Sequence, residues 1–223
     1  MNLDGALGRP TQRVNAAPGV VSALPRIRDI AVGKGYMLAL TPDGDAYAWG
    51  ANSAGQLGVG HLESVALPQR LGVTERFRSI AAGATHTVAL AFDGSVFACG
   101  SNHHGQLGRR RPAYAARPLR VELPEAVRAV AAGMHFSLAL AESGKVYAWG
   151  WNSLGQLGAN DAADRHEPTL VPGLDAADAI AAGEAHACAL TPSGLWGWGS
   201  NASGQIGAGG RTQLHASLFM SSR

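Results

Sequence analysis

The sequence has few cysteines, few charges and no long hydrophobic run. Its 223 residues include two cysteines, Cys99 and Cys188, at inequivalent positions of the repeat described below, so we expect no disulfide and a reducing compartment. No stretch approaches the roughly 18 apolar residues of a membrane span. Residues 1–19 lack the apolar core of a signal peptide. We therefore expect a cytoplasmic protein without membrane association, and export by a route that needs no signal peptide stays open.

Charge is scarce as well. Charged residues make up 15% of the chain and the formal net charge is +2, which makes binding to nucleic acid by bulk electrostatics an unlikely role on physical grounds. The hydrophobic content of 46% is enough for a sizeable core and argues against disorder. Frequent alanine and arginine are typical of GC-rich bacterial genomes, so we also expect a bacterial source.

Motifs of catalysis are missing from the sequence. It contains no G-x-S-x-G nucleophile elbow, no phosphate loop ending in Gly-Lys-Ser/Thr, no H-E-x-x-H zinc motif and no calcium-loop spacing. The histidines at His86 and His186 fall in separate repeats without acidic partners at equivalent positions, which disfavours a metal site. We expect neither an enzyme nor a cofactor nor a metal.

Instead, the sequence contains four copies of one repeated segment. In each copy a glycine ends a short apolar run, and an asparagine about 19 residues later opens an N-x-x-G-Q-[L/I]-G turn. A period near 50 residues indicates a repeat architecture in which each unit buries its face on the next. The glycines are Gly33, Gly83, Gly133 and Gly183, and the asparagines are Asn52, Asn102, Asn152 and Asn201.

The pattern within each unit predicts short antiparallel strands. In the third unit, strands at 127–132, 137–140 and 145–149 are separated by turn residues, and a weaker outer strand follows the N-x-x-G-Q-L-G turn. Without any stretch of helical periodicity, the pattern predicts an all-β array of about four β-propeller blades, each with 3–4 strands. We divide the single array 1–223 into a tail of a preceding unit (1–26) and four units, the last with a C-terminal tail: 27–76, 77–126, 127–176 and 177–223.

The repeat resembles that of the regulator of chromosome condensation family. The matching elements are Gly-x-Val-Tyr-Ala-Trp-Gly, Asn-x-x-Gly-Gln-Leu-Gly and Ala-Ala-Gly-x-x-His-x-x-Ala-Leu, and together they recur from Asp29 to Gly207. The resemblance implies a β-propeller, usually of seven blades. It implies no single activity, since the family includes exchange factors for small GTPases, an ultraviolet receptor, parts of ubiquitin ligases and a β-lactamase inhibitor.

Two features depart from the family pattern. The chain is too short for seven blades and is expected to begin and end within a unit, because Asn2–Gly8 looks like the turn of an earlier copy. It is then either a small ring or an incomplete propeller whose open blade edges could self-associate. No unit carries an insertion long enough for the projecting wedge through which the exchange factors act.

Divergence between units marks the candidate binding residues. The loop after the second turn carries Arg109, Arg110 and Arg111 with Tyr114 beyond, an interface-like composition suited to an acidic protein. Within that turn, His103 and His104 stand where the other units have Ser-Ala, Ser-Leu and Ala-Ser, and Trp151 stands where they have alanine or serine. For each of these residues a solvated loop or ordinary packing is the competing interpretation.

The sequence favours a non-enzymatic protein-binding scaffold that presents the variable loops after each Gln-Leu-Gly turn. The expected partner is a protein, either acidic or a small GTPase. Two alternatives stay open: a guanine-nucleotide exchange factor for a small GTPase, and a truncated propeller fragment without independent function.

Overall fold

The structure is a computed structural model that describes residues 2, 4–9, 17–207 and 212–221. Within these residues the backbone forms sixteen β-strands, and it contains no helix that could cross a membrane. The strands make four antiparallel sheets of four, and in each sheet neighbouring strands follow one another along the chain. Each sheet is one blade, as the sequence pattern predicts.

The strand bounds repeat from blade to blade. The first blade is β1 (Asp29–Val32), β2 (Tyr36–Leu40), β3 (Ala46–Gly50) and β4 (Val65–Arg70). The second is β5 (Phe77–Ala82), β6 (His86–Ala91), β7 (Val96–Ser101) and β8 (Tyr114–Val121). The third is β9 (Val127–Ala132), β10 (Phe136–Ala141), β11 (Val146–Gly150) and β12 (Arg165–Leu170). The fourth is β13 (Ala179–Ala182), β14 (His186–Thr191), β15 (Gly194–Ser200) and β16 (Thr212–Ser221).

The outer strands differ from the sequence prediction. The sequence pattern predicts them at 67–73, 119–123 and 169–171, and all three begin earlier than that. Tyr114 therefore opens β8 and pairs with Ser101 rather than lying in a loop. The fourth blade also has an outer strand, β16, where only a tail was predicted, so the chain does not end within an incomplete sheet. These strands escape a pattern search because register shifts interrupt the pairing of β12 and β16 with their neighbours, and the side chains lose their regular alternation.

The blades form an open arc. The inner strands β1, β5, β9 and β13 contact one another in series, and no contact of similar extent closes β13 onto β1 among the described residues. Apolar side chains of adjacent blades form the core at each junction; Leu40 and Ile80, for example, belong to one buried cluster. On β1 the equivalent of Ile80 is Ile30, which is 61% exposed because no blade of the described residues packs on that face.

A ring packed on a glycine fixes the inner end of every blade. Three residues after the repeating glycine comes a ring that lies directly over it, so that a Cβ on Gly133 would lie 1.9 Å from Cε1 of Phe136. No ordinary side chain fits there, which explains why this glycine is kept in all four units. The rings are Tyr36, His86, Phe136 and His186.

A second repeated contact ties each turn to the next blade. The indole N–H of Trp149 donates to the carbonyl of Gln106 at 3.0 Å, and that of Trp198 donates to the carbonyl of Gln156 at 2.9 Å. Both of these indoles are fully buried and lie between blades. Where Cys99 replaces tryptophan, its thiol donates to the Gln56 carbonyl at 3.7 Å, and the Thr87 hydroxyl donates to the same carbonyl at 2.7 Å.

His86 carries the ring contact across the junction between the second and third blades. The Ser137 hydroxyl donates to the Gln106 carbonyl at 2.9 Å, so its oxygen accepts the hydrogen from Nε2 of His86 at 3.0 Å. Nδ1 of His86 therefore bears no proton, and among the described residues it has no hydrogen-bond partner. Burial lowers the pKa of His86 from 6.5 to about 3, so the ring is neutral near neutral pH.

We expect Gly133→Ala to destabilise the chain by about 3 kcal/mol or more, because the new methyl group overlaps the buried Phe136 ring. Gly72→Ala is the matched control: its methyl group meets the flexible end of Arg117, and we expect a loss below about 1 kcal/mol. Urea unfolding of both variants checks this. Equal losses would show that the ring does not constrain the glycine.

Acid should weaken the fold through His86. Its folded pKa lies below its unfolded value, so its contribution is complete above about pH 6.5 and falls as the pH drops towards 3. At pH 5 the loss from this group is about 2 kcal/mol. In His86→Phe, which copies the third blade, unfolding measured from pH 7 to pH 5 should show a smaller acid loss than in the wild-type chain. An unchanged slope would contradict this origin.

Candidate functional site

One face of the arc carries the N-x-x-G-Q-[L/I]-G turns together with the loops between the first and second strands of each blade. Backbone hydrogen bonds tie the two sets together, because the residue that follows the last glycine of each third strand donates to a carbonyl in the loop. We call this surface the loop face. The bonds are Ala51 N to Gly35 O, Ser101 N to Thr85 O, Trp151 N to His135 O and Ser200 N to Ala185 O, at 2.8–2.9 Å.

The asparagine and glutamine of each turn are structural. In the third unit, Leu157 N donates to Oδ1 of Asn152 at 3.0 Å, and Leu154 N donates to Oε1 of Gln156 at 2.9 Å. The same two bonds recur in the other three units. The amide of Asn152 also donates to the carbonyls of Asp161 and Ala163, which closes the variable loop. These hydrogen bonds therefore fix the position of the loop that follows each turn.

The arginine run does not form one basic patch. Arg109 turns inward and donates to the carbonyl of Arg120 at 2.5 Å. Arg110 pairs with Glu167 of the third blade at 3.3 Å, and both side chains are well exposed. In the described part of the chain Arg111 has no side-chain partner. Sequence reasoning treated the run as a unit, but the local backbone aims each arginine differently.

Tyr114 and His103 are exposed and stand apart from that run. Tyr114 begins β8 with its side chain 51% exposed. His103 points to solvent from the second turn. Neither side chain forms a hydrogen bond, ion pair or ring contact within the described residues, so neither belongs to a preformed site.

His104 and Trp151 do come together, with His135 as a third ring. Ring centroids lie 5.6 Å apart for His104 and His135, 6.1 Å for His104 and Trp151, and 6.2 Å for His135 and Trp151. His104 belongs to the turn of the second unit, whereas the other two residues belong to the third. Three rings from two blades thus meet on the loop face.

Asp164 holds this group in place. Its Oδ2 lies 2.8 Å from Nδ1 of His104, and its Oδ1 accepts the backbone N–H of Asn152 at 2.8 Å. We call His104, His135, Trp151 and Asp164 the ring cluster. All four are partly exposed. The cluster therefore offers aromatic surface, imidazole nitrogen and a carboxylate to a partner.

Electrostatics keep part of the cluster uncharged. Burial lowers the pKa of His135 below its ordinary 6.5, and the neighbouring His104 and Lys34 lower it further. His135 is consequently neutral at pH 7. The site then presents an aromatic surface beside the carboxylate of Asp164.

Sequence reasoning missed His135 and Asp164. Phe136 occupies the buried place over Gly133, and this shifts the histidine by one residue onto the loop face. The one-residue shift is visible when the units are aligned, but the alignment does not show that the His135 ring reaches His104 and Trp151. No such signal exists for Asp164, since the variable loops differ in sequence and only the folded loop brings its carboxylate to His104.

A cavity of about 500 Å³ opens beside the cluster along the inner strands. The repeating glycines and the residues after them line it, and Met134, which directly precedes His135, is one of these. Lys34 and Glu184 lie at equivalent positions in the first and fourth units. The cavity is mostly apolar, with one charge of each sign on its lining.

The described residues show neither a grouping of metal ligands nor an activated thiol. Within the described residues no three His, Cys, Asp or Glu side chains are grouped as metal ligands. Burial raises the pKa of Cys99 to about 12 and also raises that of Cys188, so both thiols are protonated at neutral pH.

Comparison with known proteins identifies similar chains. A family model described as the RCC1-like domain matches residues 1–220. The ultraviolet-B receptor UVR8 of Arabidopsis thaliana is 38% identical over 69 residues, 30% of this chain and 16% of the receptor. Human WBSCR16 gives a TM-score of 0.78 at 26% identity, covering 86% of this chain and 53% of that structure. Yeast RCC1 (Prp20), bound to Kap60, gives 0.76 at 27%, covering 88% and 49%. The chain thus spans about half the length of these two structures.

Proposed function

Because this chain belongs to the RCC1-like domain family, we propose that it is a non-enzymatic protein-binding scaffold that recognises its partner through the loop face. Loops held on a rigid scaffold commonly carry binding residues. The proposal gives the central role to the ring cluster and a supporting role to Arg110, Arg111, His103 and Tyr114 around it. Arg109 is left out of the contact surface because it serves the loop itself.

The observation that carries the proposal is the difference between junctions. At the junction of the first two units, the positions of His104, His135 and Trp151 hold alanine, threonine and serine. At the junction of the third and fourth units they hold leucine, alanine and serine. The scaffold therefore folds without these rings, and all three occur together only at the middle junction. The residues at these three positions are Ala54, Thr85 and Ser101 at the first junction, and Leu154, Ala185 and Ser200 at the third.

The composition suits a protein partner. Tryptophan and arginine are the residues that most often dominate the energy of protein interfaces, especially where a partly buried ring is surrounded by polar groups. Trp151 and Arg111 supply such groups here. We expect the partner to present an acidic surface to the arginines and an apolar side chain to the rings.

A second candidate function is guanine-nucleotide exchange on a small GTPase. It is favoured by the structural similarity to yeast Prp20, whose structure was studied together with its binding to Gsp1p and histones. Nucleotide release from purified Gsp1p, measured with and without this chain, separates the two proposals, since acceleration of release supports exchange. A third candidate, a propeller fragment without a function of its own, is consistent with the share of Prp20 that this chain covers.

The scaffold proposal predicts that the double variant His104→Ala and Trp151→Ser loses its partner while keeping its fold. Both replacements are residues found at the same positions of other units, so the thermal midpoint should stay close to that of the wild-type chain. The exposed Phe92, at a hairpin turn on the opposite face, gives the control Phe92→Ser. Affinity capture with cross-linking and quantitative mass spectrometry identifies proteins bound by the wild-type chain.

The decisive comparison is between variants. A protein retained by Phe92→Ser and at least roughly tenfold weaker in its Kd for the double variant, a loss of about 1.4 kcal/mol, supports the loop face. A partner that binds all three chains equally would place recognition elsewhere. A partner lost only with Phe92→Ser would assign it to the opposite face.

A further inference from the structure

The three internal junctions show how one blade receives the turn of the blade before it. Each turn rests its first glycine on the outer strand of the next blade, where no Cβ could fit. A Cβ would lie 2.7 Å from Ala115 O if added to Gly55, and 2.8 Å from Leu214 Cα if added to Gly155. We call the surface on the receiving blade its seat. In the junctions with tryptophan, an indole N–H completes the seat by donating to the turn.

Asn2 and residues 4–9 fill the seat of the first blade. Leu7 N donates to Oδ1 of Asn2 at 2.8 Å, and the indole of Trp49 donates to the carbonyl of Ala6 at 3.0 Å, as in the internal junctions. This occupant is incomplete. Ala6 stands where the other turns have glutamine, and Leu7 is 39% exposed because no blade of its own surrounds it, whereas Leu57 is fully buried.

The turn of the fourth blade, by contrast, has no seat. It is formed like the others, since Ile206 N donates to Oδ1 of Asn201 at 3.1 Å and Ser203 N donates to Oε1 of Gln205 at 2.9 Å. Yet no heavy atom of the described chain would lie within 4 Å of a Cβ on Gly204. Gln205 is exposed, whereas Gln156 is fully buried. A preformed turn with its contact glycine therefore faces open space.

The exposed sheet faces of the first and fourth blades are also complementary to one another. Ile30 and Val32 are 61% and 64% exposed on β1, although Ile80, the equivalent of Ile30, is only 7% exposed against the first blade. At the other end Leu190 is 47% exposed, although its equivalents are fully buried. The end faces thus carry the two halves of the internal junction. The equivalents of Leu190 are Leu40, Leu90 and Leu140.

We propose that the fourth blade of one copy of this chain docks on the first blade of a second copy, where the turn Asn201–Gly207 takes the seat that Asn2 and residues 4–9 hold in the isolated chain. The partner is a second copy because its end blade carries the turn, the contact glycine and the apolar face that the internal junctions use. The contact is continuous with an interface that the fold builds three times.

In this assembly, the N-terminal turn, which has no blade of its own among the described residues, gives up the seat to a turn that belongs to a complete blade. The chain's own turn has the advantage of being tethered, which gives it a high effective concentration at the seat. The docking copy brings burial of Ile30, Val32 and Leu190 as well, which the N-terminal turn does not provide. Two copies joined at both ends hold eight blades, within the range of four to eight typical of propellers. A contact that does not close would instead extend into longer chains.

Gly204 provides a test, because a side chain there is tolerated in the single chain and excluded in the assembly. Its φ of +77° is one that asparagine adopts readily, and there is open space around it. Gly204→Asn should therefore leave the thermal midpoint nearly unchanged and weaken self-association by roughly tenfold or more. The control is Gly173→Asn, also at φ +77° with open space, which should associate like the wild-type chain.

Sedimentation velocity of the full chain over a wide concentration range measures the association. A dimer or a growing series that is lost in Gly204→Asn and in Leu190→Lys supports the proposal. Gly8→Ala should strengthen association, because its methyl group would lie 2.8 Å from Nε1 of Trp49 and unseat the competing turn. A chain that stays monomeric at every concentration, or association insensitive to these substitutions, would overturn it.

Discussion

The contact on which the rest of the structure depends is the seat between each Gly-Gln-Leu-Gly turn and the next blade. The turn offers a backbone carbonyl, the blade offers a buried donor, and glycine lets the two backbones approach. The donor is an indole in two internal junctions and the hydroxyl of Thr87 in the one where Cys99 replaces tryptophan. The seat tolerates a change of donor but not the loss of the glycine, since any Cβ would meet backbone.

Because the seats fix one blade on the next, the surface between them is free to vary. The middle junction differs most from the other two. It brings His104, His135 and Trp151 into contact, whereas the first and third junctions fold without these rings. Asp164 then orients His104 from a loop whose shape is set by Asn152. The proposed interaction surface thereby costs little stability, because none of its members belongs to the repeated framework.

The repeat made most of the fold predictable, whereas the site was predictable only in part. A glycine every 50 residues defines the blades, and the rings and tryptophans follow from that period. The outer strands were placed wrongly because register shifts break their alternation. His104 and Trp151 stood out as departures from the repeat. Asp164 could not, since loops of different sequence share no register, and the directions of Arg109 and Arg110 depend on local backbone rather than composition.

The two surfaces assigned here are compatible in space. The ring cluster lies at the junction of the second and third blades, whereas the docking faces belong to the first and fourth. Docking through Ile30 and Leu190 would therefore leave Trp151 as exposed as it is in the single chain. It would also bring two copies of the loop face into one assembly, which raises avidity for any partner able to reach both. Self-association then strengthens the scaffold role without altering the contact surface itself.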